Sequence, residues 1–204
     1  MRIFNYDSPL MRFLSTIGDI ILLNLIYILT CLPLITIGAA NTALFYAADQ
    51  LQENLGNLIP NYFHAFKSNF RKSTLIWLIL AGIFSILLVN YNITKMMPAP
   101  LNTILSIIYI AFGVLCLVFY IYIFPILALQ ESNSKHLIKI AFLLAASQFP
   151  KTLLFLVLLL IPISVLTLAT NWFIRLVPLW LLGFFSIEAG IKADLLRNVF
   201  SPDY

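Results

Sequence analysis

Five apolar stretches dominate the hydrophobic pattern of this 204-residue chain. Each is close to 20 residues long or longer, the length that an α-helix needs to cross a hydrocarbon core roughly 30 Å thick. The predicted spans cover residues 13–37, 72–94, 101–127, 152–170 and 172–191. The pattern therefore predicts an all-α fold: a polytopic transmembrane helical bundle in one integral membrane domain, residues 1–204.

The connections between these spans fall into two classes. Residues 96–100 and the turn at 170–172 are short, so each predicts an antiparallel helical hairpin. The two long connections are too polar or too short to cross a membrane, and we predict interfacial helical segments over 39–70 and 134–150.

A weak repeat accompanies the two long connections. Residues 68–72 and 147–151 both have a Ser, an amide side chain, a Phe, a variable position and a Lys, followed by an apolar run. The match favours a plan of one lead helix and two copies of an interfacial helix followed by a hairpin. A chance match in so biased a sequence is the alternative.

Composition strengthens the membrane prediction. The chain is 62% hydrophobic and 10% charged, whereas soluble domains have about 45–50% apolar and about 25% charged residues. The formal charge of +4 would favour nucleic acid as a partner of a soluble protein. Here the basic residues stand at the ends of apolar runs, so we expect the lipid bilayer as a partner and no nucleic acid.

The distribution of Lys and Arg predicts the orientation. Eight of the twelve fall on the side of the long connections and the C-terminus, and four on the other side. By the positive-inside rule the N-terminus is outside and the C-terminus cytoplasmic. The first apolar stretch lacks a small-residue cleavage site and is expected to be retained as a span. The candidate interfacial contacts are Lys67, Arg71, Lys72, Lys135, Lys139 and Lys151.

Two polar residues stand out in the first span. Asp19 lies near its start and Asn24 five positions later. Carboxylates inside a membrane are energetically unfavourable and often functional, so a transport or proton-transfer role is one interpretation. An interfacial or packing role for Asp19, close to a helix N-terminus, is the other.

The inner end of the first span carries a predicted bend. Pro33 breaks or kinks the helix, and the small residues that follow, including Gly38, allow helices to approach closely. Asn41 adds a polar group to this segment. A bent helix packed on the bundle and a binding groove at the bend are the two interpretations.

Glu188, near the inner end of the last span, precedes Lys192 by four positions. That is helical spacing for a Glu-to-Lys ion pair, so we expect a salt bridge. Glu188 remains a candidate functional or packing position.

Familiar catalytic and cofactor motifs are missing from the sequence. There is no HExxH, GxSxG, P-loop or GxGxxG, and His64 and His136 lie far apart. Cys31 and Cys116 both lie in apolar runs, where free cysteines behave as small hydrophobes. We expect no enzymatic activity, no cofactor and no metal.

Several segments resemble one family of bacterial membrane proteins. They are residues 4–13 (FNYDSPLMRF), Asn24, residues 32–40 (LPLITIGAA) and residues 66–70 (FKSNF). Together they resemble the YesL-like family, the domain of unknown function 624, over about the first 80 residues. The pair Asn41-Thr42 departs from the small-residue and Thr pattern expected there.

The resemblance implies a multi-pass protein of a bacterial cell membrane whose biochemical activity is unknown. Genes of this family often lie near carbohydrate-uptake transporters and sensor systems. It therefore implies a non-enzymatic accessory to carbohydrate uptake or its regulation, with a transporter permease, a sensor or a second copy of the chain as partner. A small transporter in its own right is the alternative function.

Overall fold

The computed structural model describes residues 9–53, 57–129, 134–168, 178 and 180–200. The secondary structure in these ranges is helical, without a strand, which confirms the predicted all-α class. The helices are α1 (Pro9–Cys31), α2 (Ile37–Gln52), α3 (Leu58–Thr94), α4 (Leu101–Leu129), α5 (Ser134–Ser147), α6 (Phe149–Leu168) and α7 (Phe185–Phe200). A 3-10 turn, Leu34–Thr36, separates α1 from α2, and a π-helical segment, Trp180–Phe184, precedes α7.

Three helices in the described part of the chain are long and apolar enough to cross a membrane. They are the Phe13–Cys31 part of α1, α3 and α4. Helices α5 and α6 form a pair bent by 101° that makes a fourth if counted as one broken span. The predicted turn at 170–172, and the adjoining ends of the last two predicted spans, lie outside the described residues.

Helix α2 differs from the interfacial segment predicted over 39–70. Ten of its sixteen residues are buried, and it packs against α1, α3, α4 and α7 at the centre of the molecule. The reason is the small residues Ala40, Ala43 and Ala47, which recur at helical spacing and present little bulk to the neighbouring helices.

Gly38 lies at the closest crossing of α2 and α3. A Cβ atom placed on Gly38 would lie 2.6 Å from Cβ of Trp77 and closer still to the carbonyl oxygen of Ser73. Next to this crossing, the hydroxyls of Thr42 and Ser73 are hydrogen-bonded at 2.9 Å. Backbone contact at this point thus requires glycine.

Replacing Gly38 by alanine is expected to lower the free energy of unfolding by about 2 kcal/mol, because the methyl group forces α2 away from the α3 backbone. Gly82→Ala is the matched control, since nothing lies within 4 Å of its Cβ position in α3. There the helix-propensity gain of alanine makes the change neutral or slightly stabilising. Thermal unfolding in detergent measures the stability of both variants. Equal melting temperatures for Gly38→Ala and Gly82→Ala would contradict the close backbone contact of α2 and α3 at Gly38.

The two copies of the sequence repeat adopt different geometries. At residues 68–72 the chain stays inside the uninterrupted 37-residue helix α3. At residues 147–151 it bends between α5 and α6. The difference follows from the variable position, which is Arg71 in the first copy and Pro150 in the second. Proline has no N–H with which to continue the hydrogen bonding of α5, and it fits well in the first turn of a new helix.

The second half of α3 and the first half of α4 form a hairpin that the other helices hardly cover. From Leu75 to Ile93 no residue of α3 is buried, and in α4 the buried residues begin at Ile121. The final turns of α4 instead join a core with Phe155 of α6 and Leu196 of α7. The chain therefore has a packed end, containing α2, and a hairpin with apolar side chains exposed.

Candidate functional site

The junction before α7 interrupts the helical hydrogen bonding. Gly183 has non-helical torsions (φ 166°, ψ 3°), and regular α-helix begins only at Phe185. The first N–H groups of a new helix have no partner within that helix, so a buried junction of this kind needs hydrogen bonds from elsewhere.

Asn24 of α1 supplies hydrogen bonds on both sides of this junction. Its Nδ2 donates to the Trp180 carbonyl oxygen at 2.8 Å. Its Oδ1 accepts from the backbone N–H groups of Phe185 (3.1 Å) and Ser186 (3.3 Å). The side chain is fully buried. Asn24 therefore acts as the N-cap of α7 from a different helix, and we call this arrangement the Asn24 clamp.

A second polar chain joins α1, α2 and α4. The Tyr27 hydroxyl donates to Oδ1 of Asn41 at 3.0 Å, and Nδ2 of Asn41 donates to the Tyr120 hydroxyl oxygen at 2.8 Å. Both ends of the Asn41 amide are thus used between helices, which satisfies polar groups that burial would otherwise leave without partners.

Glu188 and Lys192 form the ion pair expected from their spacing. Oε1 of Glu188 lies 2.6 Å from Nζ of Lys192, and both side chains are almost entirely buried. Glu188 is in the first turn of α7, where a carboxylate is stabilised by the helix dipole. Lys192 also lies over the Phe155 ring, with Nζ 5.9 Å from the ring centroid.

The polar chain and the ion pair border one cavity. It has a volume of about 90 Å³, and its walls include Tyr27, Asn41, Tyr120, Glu188 and Lys192. Sites for drug-sized ligands usually measure about 300–1,000 Å³. A cavity of this volume has room for water molecules. Its chemistry suits hydrogen bonding to water or to one small polar group.

The other two positions singled out in the first span lie elsewhere. Asp19 is half-buried and shares a separate cavity with the amide side chains of Gln50, Asn57 and Asn61. Pro33 stands between the end of α1 and the 3-10 turn, where the chain reverses into α2. Asp19, Asn24 and Pro33 therefore do not line a shared polar path.

The basic residues predicted as interfacial contacts differ in their surroundings. Lys67, Arg71 and Lys72 of α3 and Lys139 of α5 are exposed. Lys151 instead donates a hydrogen bond from Nζ to the Leu195 carbonyl oxygen at 2.8 Å, and so joins α6 to α7. Lys135 lies in α5, but its side chain is outside the described residues.

Two residues of the cavity wall, Tyr27 and Tyr120, were not among the sequence candidates. A signal was present, because a tyrosine within an apolar span needs a hydroxyl partner when it is buried. What the sequence lacks is any indication that Asn41, 79 positions before Tyr120, is that partner.

Two serines within the predicted spans use their hydroxyls inside their own helices. The hydroxyls of Ser85 and Ser164 donate to carbonyl oxygens of their own helices, those of Ala81 and Ile161. No three His, Cys, Asp or Glu side chains come together there as metal ligands.

Comparison with known proteins gives one match. Residues 20–91 match the family model described as "Protein of unknown function, DUF624". Neither the comparison with curated proteins nor that with solved structures found a match. The matched segment contains Asn24, Pro33, Gly38, Asn41 and the basic residues of α3. The resemblance predicted from the sequence is thus confirmed over residues 20–91, and the chain is a helical membrane protein that is similar to the DUF624, or YesL-like, family over this segment.

Proposed function

We propose that this protein is a non-enzymatic membrane accessory to carbohydrate uptake or its regulation, which acts through contact with a transporter permease or a sensor. The observation that carries the proposal is that the polar residues Asn24, Asn41 and Glu188 are all engaged in structural contacts. Asn24 caps α7, Asn41 bridges two tyrosines, and Glu188 pairs with Lys192.

This pairing favours an accessory role over a carrier. A sugar carrier needs polar groups that are free to bind hydroxyls, in a site of ligand size. The cavity between Asn41, the two tyrosines and the ion pair measures about 90 Å³, whereas the cavity beside Asp19, about 270 Å³, lies apart from these groups. Asn24 and Asn41 thus serve to hold α1, α2, α4 and α7 together.

The carbohydrate part of the proposal rests on the family resemblance, because genes of YesL-like proteins often neighbour carbohydrate-uptake transporters and sensor systems. The partner contact is assigned to the bend between α5 and α6. Phe142, Leu143 and Phe149 are exposed there, and aromatic side chains are enriched in protein interfaces. Lys139 is exposed beside them and would lie at the rim of such a contact.

Gentle detergent purification of the tagged chain from its native membrane, followed by quantitative mass spectrometry, tests the proposal. We expect a sugar-transporter permease or a sensor kinase at near-stoichiometric yield. Lys139→Glu should reduce that yield severalfold. Lys95→Glu, at the tip of the α3–α4 hairpin, is the matched control and should not. Recovery of the chain alone, or only with copies of itself, would contradict the proposal.

A small carrier is the second candidate function, favoured by the charged pair at the cavity wall, since ionisable residues inside membranes often mark transport pathways. Saturable sugar flux into vesicles containing only the purified chain would support this alternative. Unchanged flux in an Asp19→Asn variant would then remove Asp19 from the path.

A further inference from the structure

The first four turns of α3, residues 58–72, have a packed face, an exposed apolar stripe and cations along the edge of that stripe. One face packs on the rest of the molecule through the buried Tyr62 and Ala65. A second carries Ile59, Phe63 and Phe70, whose exposed fractions are 43%, 39% and 37%. Residues three, four and seven positions apart share a helix face, so these three apolar side chains form one stripe.

The edge of this stripe is cationic. Lys67 lies four positions after Phe63 and three before Phe70, and Arg71 lies four positions after Lys67, so both cations stand on the edge of the Phe63–Phe70 stripe. Both are exposed, as is Lys72. Within the described part of the chain none of the three has an ion-pair partner. No Asp or Glu occurs anywhere in residues 54–130, so no carboxylate in this stretch opposes them.

The length of α3 places this segment at the membrane boundary. A 37-residue helix is about 55 Å long, whereas about 20 residues cross the hydrocarbon core. The exposed apolar half that begins at Leu75 has the length of one crossing. The preceding turns, with their cations, therefore lie beside or beyond the head groups.

We propose that residues 59–71 of α3 form a binding surface for an anionic phospholipid. Phe63 and Phe70 lie against the glycerol and upper acyl region, and Lys67 and Arg71 together hold the phosphate group. An apolar stripe flanked by unpaired cations is the arrangement by which helices bind anionic membrane surfaces. A zwitterionic lipid offers the same acyl chains without the net charge, so selectivity depends on the two cations.

Native mass spectrometry of the detergent-purified full chain, titrated with phosphatidylglycerol or phosphatidylcholine, tests this surface. The wild type should bind phosphatidylglycerol more tightly, and added salt should weaken that preference. Arg71→Gln should reduce phosphatidylglycerol affinity about fivefold, and Lys67→Gln/Arg71→Gln roughly 25-fold, with phosphatidylcholine unaffected.

Three matched variants separate charge from packing. Lys95→Gln removes one charge from the opposite end of the same helix, about 36 Å away, and should leave binding unchanged. Lys67→Arg/Arg71→Lys keeps both charges and should retain the preference. Phe63→Ala should weaken both lipids alike. The proposal is overturned if the wild type shows no preference, if the double variant keeps it, or if Lys95→Gln loses as much as Arg71→Gln.

Discussion

Replacing Asn24 by alanine is expected to lower the free energy of unfolding by about 3 kcal/mol. The change removes the clamp and leaves the Trp180 carbonyl and the N–H groups of Phe185 and Ser186 without the Asn24 side chain. A buried backbone group deprived of its partner costs about 1–3 kcal/mol. Unfolding of the detergent-solubilised protein, followed by circular dichroism, measures the loss.

Two further variants test whether the lost hydrogen bonds of Asn24 cause this destabilisation. Asn92→Ala makes the same truncation at an exposed site, where Nδ2 donates only to the Leu88 carbonyl of the same helix, and should change stability by less than about 0.5 kcal/mol. Asn24→Asp keeps the oxygen acceptors for α7 but loses the donor to Trp180, so we expect a stability between those of Asn24→Ala and the wild type. Equal stability of the Asn24→Ala and Asn92→Ala variants would refute the clamp.

Neutralising Glu188 is the second large expected effect. Glu188→Gln leaves the buried Lys192 ammonium without its counter-ion, and breaking a buried pair costs about 3–5 kcal/mol. We expect about 3 kcal/mol, the lower end of that range, because the adjoining cavity has room for water that can solvate the remaining charge. Chemical unfolding of the purified variant measures the change.

A double-mutant cycle isolates the ion pair. Glu188→Gln/Lys192→Met replaces it by neutral side chains and should recover most of the loss, since buried pairs are often no better than neutral replacements. Asp194→Asn, at an exposed position of the same helix, should be nearly neutral. If the losses of the two single variants simply add in the double variant, the two charges do not interact and the account of the pair is wrong.

The sequence predicted those features of the fold that depend on residues close to one another along the chain. The helical class and the α3–α4 hairpin follow from apolar runs and a short connection. The Glu188–Lys192 pair follows from a separation of four residues. The end of α1 before Pro33 follows from the backbone restrictions of proline.

Contacts between residues far apart along the chain could not be predicted from the sequence in the same way. The sequence singled out Asn24 as a polar residue in a span, but its partners lie more than 150 positions away and belong to the backbone. Likewise, small residues marked α2 as a helix suited to close packing without indicating that four helices surround it. The number of spans was hard to predict for a related reason, because hydropathy does not report the bend between α5 and α6.

Sugar uptake into vesicles, first with the purified chain alone and then with its co-purified permease, distinguishes an accessory protein from a carrier. The chain alone should transport no more sugar than empty vesicles. Adding the wild-type chain should change uptake by the permease, and Glu188→Gln/Lys192→Met, which keeps the fold, should have the same effect. Saturable flux through the chain alone, abolished in that folded double variant, would contradict the account and identify the cavity as part of a transport path.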